Sequence, residues 1–166
     1  MLEKTKEFLI KNKDRIFVIG FTLLYAIVTA ILAFHHENWR DENQVWLLCK
    51  NLSIPDLLVQ LKYEGHPIVW FALVYPFAQL GVSCKIVNIL SWIIMVISVY
   101  LILKKAPFNI FIKILFIFSM PMIYLYPSIA RSYCLIPLAI ALVAIYFGQR
   151  HEKPVQYILC ILFLAN

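Results

Sequence analysis

Nineteen consecutive residues, Ile16 to Phe34 (IFVIGFTLLYAIVTAILAF), carry no charge. As a helix rising 1.5 Å per residue, that block is about 28 Å long, close to the thickness of a bilayer's hydrocarbon core. In hydrocarbon every backbone N–H and C=O must find its partner within the segment, so the block reads as a membrane-spanning helix. Further apolar blocks run over Ile86–Leu103, Phe108–Tyr126, Tyr133–Phe147 and Val155–Asn166. Of the 166 residues, 63% are apolar and only 14% charged, against roughly 45–50% and 25% in a soluble domain. These values exclude a disordered chain and a small disulfide scaffold. The four cysteines (Cys49, Cys84, Cys134, Cys160) show no CxxC or Cys/His metal spacing and read mostly as small apolar fillers. Cys49 and Cys84 share one side of the expected topology and are candidates to pair.

Charge placement gives the direction. Lys4, Lys6, Lys11, Lys13 and Arg15 precede the first block, and no A-x-A cleavage site follows it, so it reads as an uncleaved first span with a cytoplasmic N-terminus. The segment Pro67–Val82 decides the rest. If it lies in the interface or re-enters, ten of the fifteen Lys and Arg residues fall inside (the tail five, Lys104, Lys105, Lys113, Arg150 and Lys153). Five then fall outside: Arg40, Lys50, Lys62, Lys85 and Arg131. This asymmetry, the segment's shortness and its central Pro76 favour the non-crossing arrangement. The expected fold is therefore an all-α integral membrane protein. It is a multi-spanning helical bundle with spans at about 16–34, 86–103, 108–126, 133–147 and 155–166. An outer loop with an interfacial segment occupies 35–85. Because the last block stops after about 12 residues, residues 1–166 read as one membrane domain of a longer protein. The basic residues border apolar blocks instead of lining a groove, which argues against nucleic acid and for a multi-pass protein of the cell (inner or plasma) membrane.

The polar content concentrates in His35–Pro67. Asp41 followed by Gln44, and Ser53 followed by Asp56, fit capping boxes. Val45, Trp46, Leu48 and Cys49 lie behind the first, and Leu57, Leu58 and Leu61 behind the second. Two amphipathic helices along the outer membrane surface are expected, with Trp39, Trp46, Tyr63 and Trp70 in the interfacial aromatic belt. The adjacent Asp41 and Glu42 suit a general base or a metal ligand, or else a helix cap and its dipole complement. His66 suits a site or a His-Pro turn. Arg131, between two spans near the outer interface, suits a lipid-linked phosphate or a snorkelling anchor.

An N-terminal span followed by W-R-D-E-x-Q-x-W, Y-E-G-H-P-x-x-W, K-K-A-P-F and I-A-R-S-Y resembles the N-terminal part of bacterial GT-C membrane glycosyltransferases, in particular the dolichyl-phosphate-mannose mannosyltransferase-like group. The likeness covers essentially the whole chain. The family's acidic motif reads Asp41-Glu42 here, and its A-R-x-Y element is intact as Ala130-Arg131-Ser132-Tyr133. Its H-P-P-L element reads His66-Pro67-Ile68-Val69, lacking the second proline. The resemblance implies sugar transfer from a polyprenyl-phosphate donor to an envelope acceptor by a single inverting displacement, on the extracytoplasmic side. Asp41 or Glu42 would be the catalytic base, and His66, Arg131, Tyr133 and Arg40 would bind substrate. A divalent metal serves part of the superfamily, and Asp41 and Glu42 would be its ligands here. The implied partners are membrane lipid and the lipid-linked donor. Two other readings stay open. A transporter component would place ionisable groups inside its spans, where only Lys113 qualifies. A non-catalytic membrane protein or an inactive remnant would need none of these roles.

Overall fold

The computed structural model describes residues 12–65 and 67–165. Lys4, Lys6 and Lys11 of the basic tail, and His66, lie outside the described residues. Every regular element is helical. α1 (Lys13–Phe34) is followed by α2 (Arg40–Asn51) and α3 (Ile54–Gln60), which tightens into a 3-10 turn at Leu61–Tyr63. Then come α4 (Ile68–Gln79), α5 (Ile86–Lys105) and α6 (Ile110–Ile117). A π turn at Pro121–Leu125 leads into the short α7 (Tyr126–Ser128). A 3-10 turn at Ser132–Cys134 opens α8 (Leu135–Phe147), and α9 (Pro154–Ala165) follows.

Among the described residues, α1 and α5, with 22 and 20 residues, are long and apolar enough to cross a membrane. A third crossing exists if α6 and Pro121–Ser128 count as one, but that pair is bent by 53°. The unbroken span expected over 108–126 is thus corrected. Pro121 has no N–H to return to the helix and its ring crowds the preceding turn. Ser119 closes the end of α6 instead, its hydroxyl donating to the Phe116 carbonyl at 2.7 Å. α8 (13 residues) and α9 (12 residues) are shorter apolar helices. By length and composition, two helices among the described residues, or three with the bent pair, suffice to cross a membrane.

α5 is the spine, packing against α1, α4, α6, α7 and α8. Its buried positions Val87, Asn88, Ser91, Ile94, Met95, Ser98 and Val99 recur every three or four residues, and the serines among them admit close backbone approach. α1 runs antiparallel to it. Trp92 Nε1 donates to the Ala26 carbonyl at 3.1 Å and Phe34 meets Trp92. At the other end Arg15 lies within electrostatic reach of the Tyr100 hydroxyl. Lys113 donates to the Leu103 carbonyl at 2.8 Å, so Lys13, Arg15, Lys104, Lys105 and Lys113 gather at one end of the bundle. The polar helices and the Ile129–Tyr133 turn occupy the opposite end. Leu23, Leu24, Ile27, Ile31 and Phe34 of α1 are exposed, an apolar face suited to lipid.

α4 does not extend the bundle. It lies antiparallel to α2: Trp46 Nε1 donates to the Val82 carbonyl at 3.0 Å, Gln79 Nε2 to that of Cys49 at 2.8 Å, and the Tyr75 hydroxyl to that of Leu52 at 3.5 Å. With 12 residues it spans about 18 Å. Trp70 is fully buried in this contact, so it leaves the aromatic belt to Trp39 and Tyr63, which are exposed. The reason is register, because Trp70, Phe71, Val74 and Ala78 form the stripe that α4 turns inward. Cys49 and Cys84 are free thiols. The Cys49 side chain is sealed under α4, where its Sγ contacts the Phe71 carbonyl at 3.7 Å, and burial pushes its thiol up to about 12.

Two outcomes are expected. Trp70→Ala should destabilise the folded chain by about 3–5 kcal/mol, the cost of emptying a large core site, whereas Tyr63→Ala at a position 82% exposed should leave thermal melting in detergent micelles unchanged. A maleimide at neutral pH should modify the half-buried Cys84 and spare Cys49, whose thiolate fraction is negligible there. Mass spectrometry of the labelled protein reads this directly.

Candidate functional site

The site is assembled from two segments about ninety positions apart. The first is the start of α2. Its N-terminal cap is Trp39, and the expected cap at Asp41 is corrected: the helix begins at Arg40, two residues earlier. The reason is Glu42. As the third residue of the helix it reaches back, and its Oε2 accepts the Trp39 backbone N–H at 2.5 Å, which is the return half of a capping box. The second cap stands as expected, with Ser53 Oγ accepting the Asp56 N–H at 3.4 Å, while the Asp56 carboxylate accepts from the Ser53 hydroxyl at 2.5 Å instead of closing the box on the Ser53 N–H.

The other segment is the turn from Ile129 to Tyr133, between α7 and α8. Glu42 joins the two. Its Oε1 accepts the backbone N–H of Ala130, and its Oε2 also faces His36 Nε2 at 3.0 Å. Glu42 is completely buried, and the His36 side chain is 6% exposed. The two neighbouring acids therefore have opposite environments. Asp41, 58% exposed, lies with Oδ2 3.6 Å from Arg131 Nη1, whose side chain is 23% exposed. The Arg131 guanidinium also stands over the Tyr133 ring, 5.2 Å from its centre.

Asp41, Glu42, Arg131 and Tyr133 thus come together at the polar end of the bundle, beyond the ends of the long apolar helices. Arg40 does not join them. It is exposed and lines a separate shallow groove of about 380 Å³ with Gln44, Leu47 and Leu48. A cleft of about 340 Å³ lined by Ile31, Leu32, His35, His36, Glu37 and Tyr124 opens beside the His36 contact. Sequence reasoning missed His36 and the Ala130 amide. Six residues before Glu42 is no helical repeat, so the available signal was that a buried acid requires a polar partner.

As metal ligands the two acids fit poorly. Both Glu42 oxygens already accept hydrogen bonds and Asp41 faces a guanidinium. No group of three or more His, Cys, Asp or Glu suited to a metal ion occurs among the described residues.

No family model matches the chain, and no curated protein or solved structure is found similar to it.

Proposed function

We propose that this chain contributes the outer-face reaction corner of a membrane glycosyltransferase of GT-C type, moving a sugar from a polyprenyl-phosphate donor to an envelope acceptor. The observation that carries this reading is the pairing of a solvent-facing carboxylate, Asp41, with a guanidinium, Arg131, from a distant segment, at the polar end of an apolar helical bundle. The motifs W-R-D-E and I-A-R-S-Y, which carry the family resemblance, are the two that meet there.

In the displacement, Asp41 takes the proton of the acceptor hydroxyl as its oxygen bonds to the anomeric carbon. The bond from that carbon to the phosphate oxygen breaks, and its electron pair stays on the departing polyprenyl phosphate, raising its negative charge. Arg131 offsets that charge through a planar fork matched to two phosphate oxygens. In the resting chain Arg131 is committed to Asp41. The pair is a single 3.6 Å contact with Asp41 on the solvent side, so a donor phosphate can displace the carboxylate and release it to act as base. Glu42, with no exposed surface and both oxygens occupied, is left out of proton transfer in this scheme.

Turnover of the full-length protein against polyprenyl-phosphate sugar tests the assignment. Asp41→Asn should slow transfer by about 10²-fold or more, the scale of a lost general base. Arg131→Lys should raise the donor concentration needed and restore only part of what Arg131→Ala loses. Normal turnover in Asp41→Asn, or equal donor dependence in wild type and Arg131→Lys, would remove the reading.

The membrane arrangement proposed with it puts the basic end, with Lys104 and Lys105, in the cytoplasm and α2–α4 in the outer interface. Its support is that the structure gathers the basic residues of α1, α5 and α6 at one end. On a cysteine-free background, Asp56→Cys should react with an impermeant maleimide in intact cells and Lys105→Cys should not. The reverse result would invert the topology.

A further inference from the structure

We infer that Glu42 and His36 are positioning residues that hold Arg131 against Asp41, and that the role of Glu42 requires a carboxylate. The inference rests on the reading of Asp41 and Arg131 given above, but its geometry stands apart from it. Glu42 fixes three backbone segments with one side chain: the turn after α1 through His36, the start of α2 through the Trp39 N–H, and the turn after α7 through the Ala130 N–H. Asp41 directly precedes Glu42 in the chain, and Arg131 directly follows Ala130. The exposed Asp41 and the half-buried Arg131 are therefore carried on the residues adjoining the brace, and their 3.6 Å separation is set by it.

The chemistry demanded at position 42 is narrow. Each oxygen receives a backbone N–H from a different segment, so both ends of the group must accept. A carboxylate does so, whereas an amide presents one acceptor and one NH2 donor. In Glu42→Gln the NH2 therefore meets either the Trp39 or the Ala130 N–H, donor against donor, at a site with no access to water. Aspartate is one methylene shorter and cannot reach both segments from the same helix position. His36 supplies the third hydrogen bond and, when protonated, the countercharge that a buried anion needs. Its ring is itself held edge-on to Trp39 at 5.8 Å, so the partner is as fixed as the acid. In contrast to Asp41, nothing in this arrangement leaves an oxygen of Glu42 facing a substrate. Its influence on the reaction runs through Arg131.

The test uses the full chain in lipid nanodiscs, with two readouts. Hydrogen exchange at the Ala130 amide should be protected in wild type and accelerate about tenfold or more in Glu42→Gln, as expected when a buried hydrogen bond is lost. His36→Leu should accelerate it as well, while His36→Gln, which keeps an N–H donor, should restore most of the protection. The histidine pair keeps the inference open to refutation even where Glu42→Gln does not fold. The second readout is a double-mutant cycle in donor-dependent transfer. If Glu42 acts through Arg131, the double variant Glu42→Gln/Arg131→Ala should lose no more than Arg131→Ala alone. Additive losses would make Glu42 an independent participant and overturn the positioning role. Unchanged Ala130 exchange in both Glu42→Gln and His36→Leu would overturn the brace itself. A wild-type protein that transfers no sugar but shows the exchange pattern would sink the glycosyltransferase reading and leave the brace standing.

Discussion

A carboxylate with no exposed surface exists in a folded chain only where its charge is met and its oxygens are occupied. Both Glu42 oxygens are occupied by groups from segments that lie far apart in the sequence, and the polar end of the molecule is organised by those contacts. The Ala130 amide is reached across 88 positions, so the bond forms only after α5, α6 and the bent segment beyond it have folded back beside α1. Conversely, the bond ties down the Ile129–Tyr133 turn, which follows the three-residue α7. The Tyr25 hydroxyl, donating to the Met122 carbonyl, serves the same purpose one turn deeper. It occupies a carbonyl within the π turn, where a helix opened by Pro121 carries backbone groups displaced from their normal partners.

The apolar framework and the polar cap obey different physics. In α1 and α5 the hydrophobic effect does not distinguish lipid from a neighbouring helix, so packing is decided by shape and by a few hydrogen bonds. α5 buries a stripe with Ser91 and Ser98 on it, and Ser98 returns its hydroxyl to the Ile94 carbonyl at 2.7 Å. Trp92 reaches across to α1 in the same way. In the cap the pairing of α2 with α4 is a conventional amphipathic contact. Val45 and Cys49 of one helix face Phe71, Val74 and Ala78 of the other, and the rims are closed by Trp46, Gln79 and Tyr75.

Much of this was legible in the sequence, for reasons that can be named. α1 and α5 were legible because an uncharged block bordered by lysines has few alternatives at that length. The α3 cap was legible because Ser53 and Asp56 make a purely local motif. What escaped depends on contacts between distant segments. The start of α2 shifted because Glu42, not Gln44, faces back along the chain, and Glu42 is held there by Ala130 and His36. The fate of Trp70 escaped because an aromatic at a membrane border fits either an interface or a core until its neighbour is known, and here the neighbour is α2. The break at Pro121 was visible as a proline, but its 53° consequence was not, because membrane helices absorb many prolines without bending. At the site, the meeting of Asp41 with Arg131 required only that two turns at the polar end of the bundle adjoin. The separate environments of Asp41 and Glu42 could not be read from two adjacent letters.

That separation gives the corner its internal logic. A helix places successive side chains about 100° apart, so when Glu42 points into the protein, Asp41 is turned toward the solvent edge and cannot share its burial. The strong contacts are thereby concentrated on the residue that does not meet solvent, and the weak, exposed contact falls to the residue that does. An acid buried like Glu42 would be a poor proton acceptor for an incoming hydroxyl, since it has no exposed surface and both its oxygens already accept hydrogen bonds. An acid exposed like Asp41 but unsupported would lose its alignment to side-chain freedom. Adjacent positions on one helix turn resolve the conflict, because the buried member fixes the backbone on which the exposed member stands. The same division recurs across the gap, where the Ala130 amide is held and the Arg131 guanidinium, one residue on, is presented at the surface. Under the proposed function, a pair built this way can exchange partners with a ligand while the backbone beneath it stays in place.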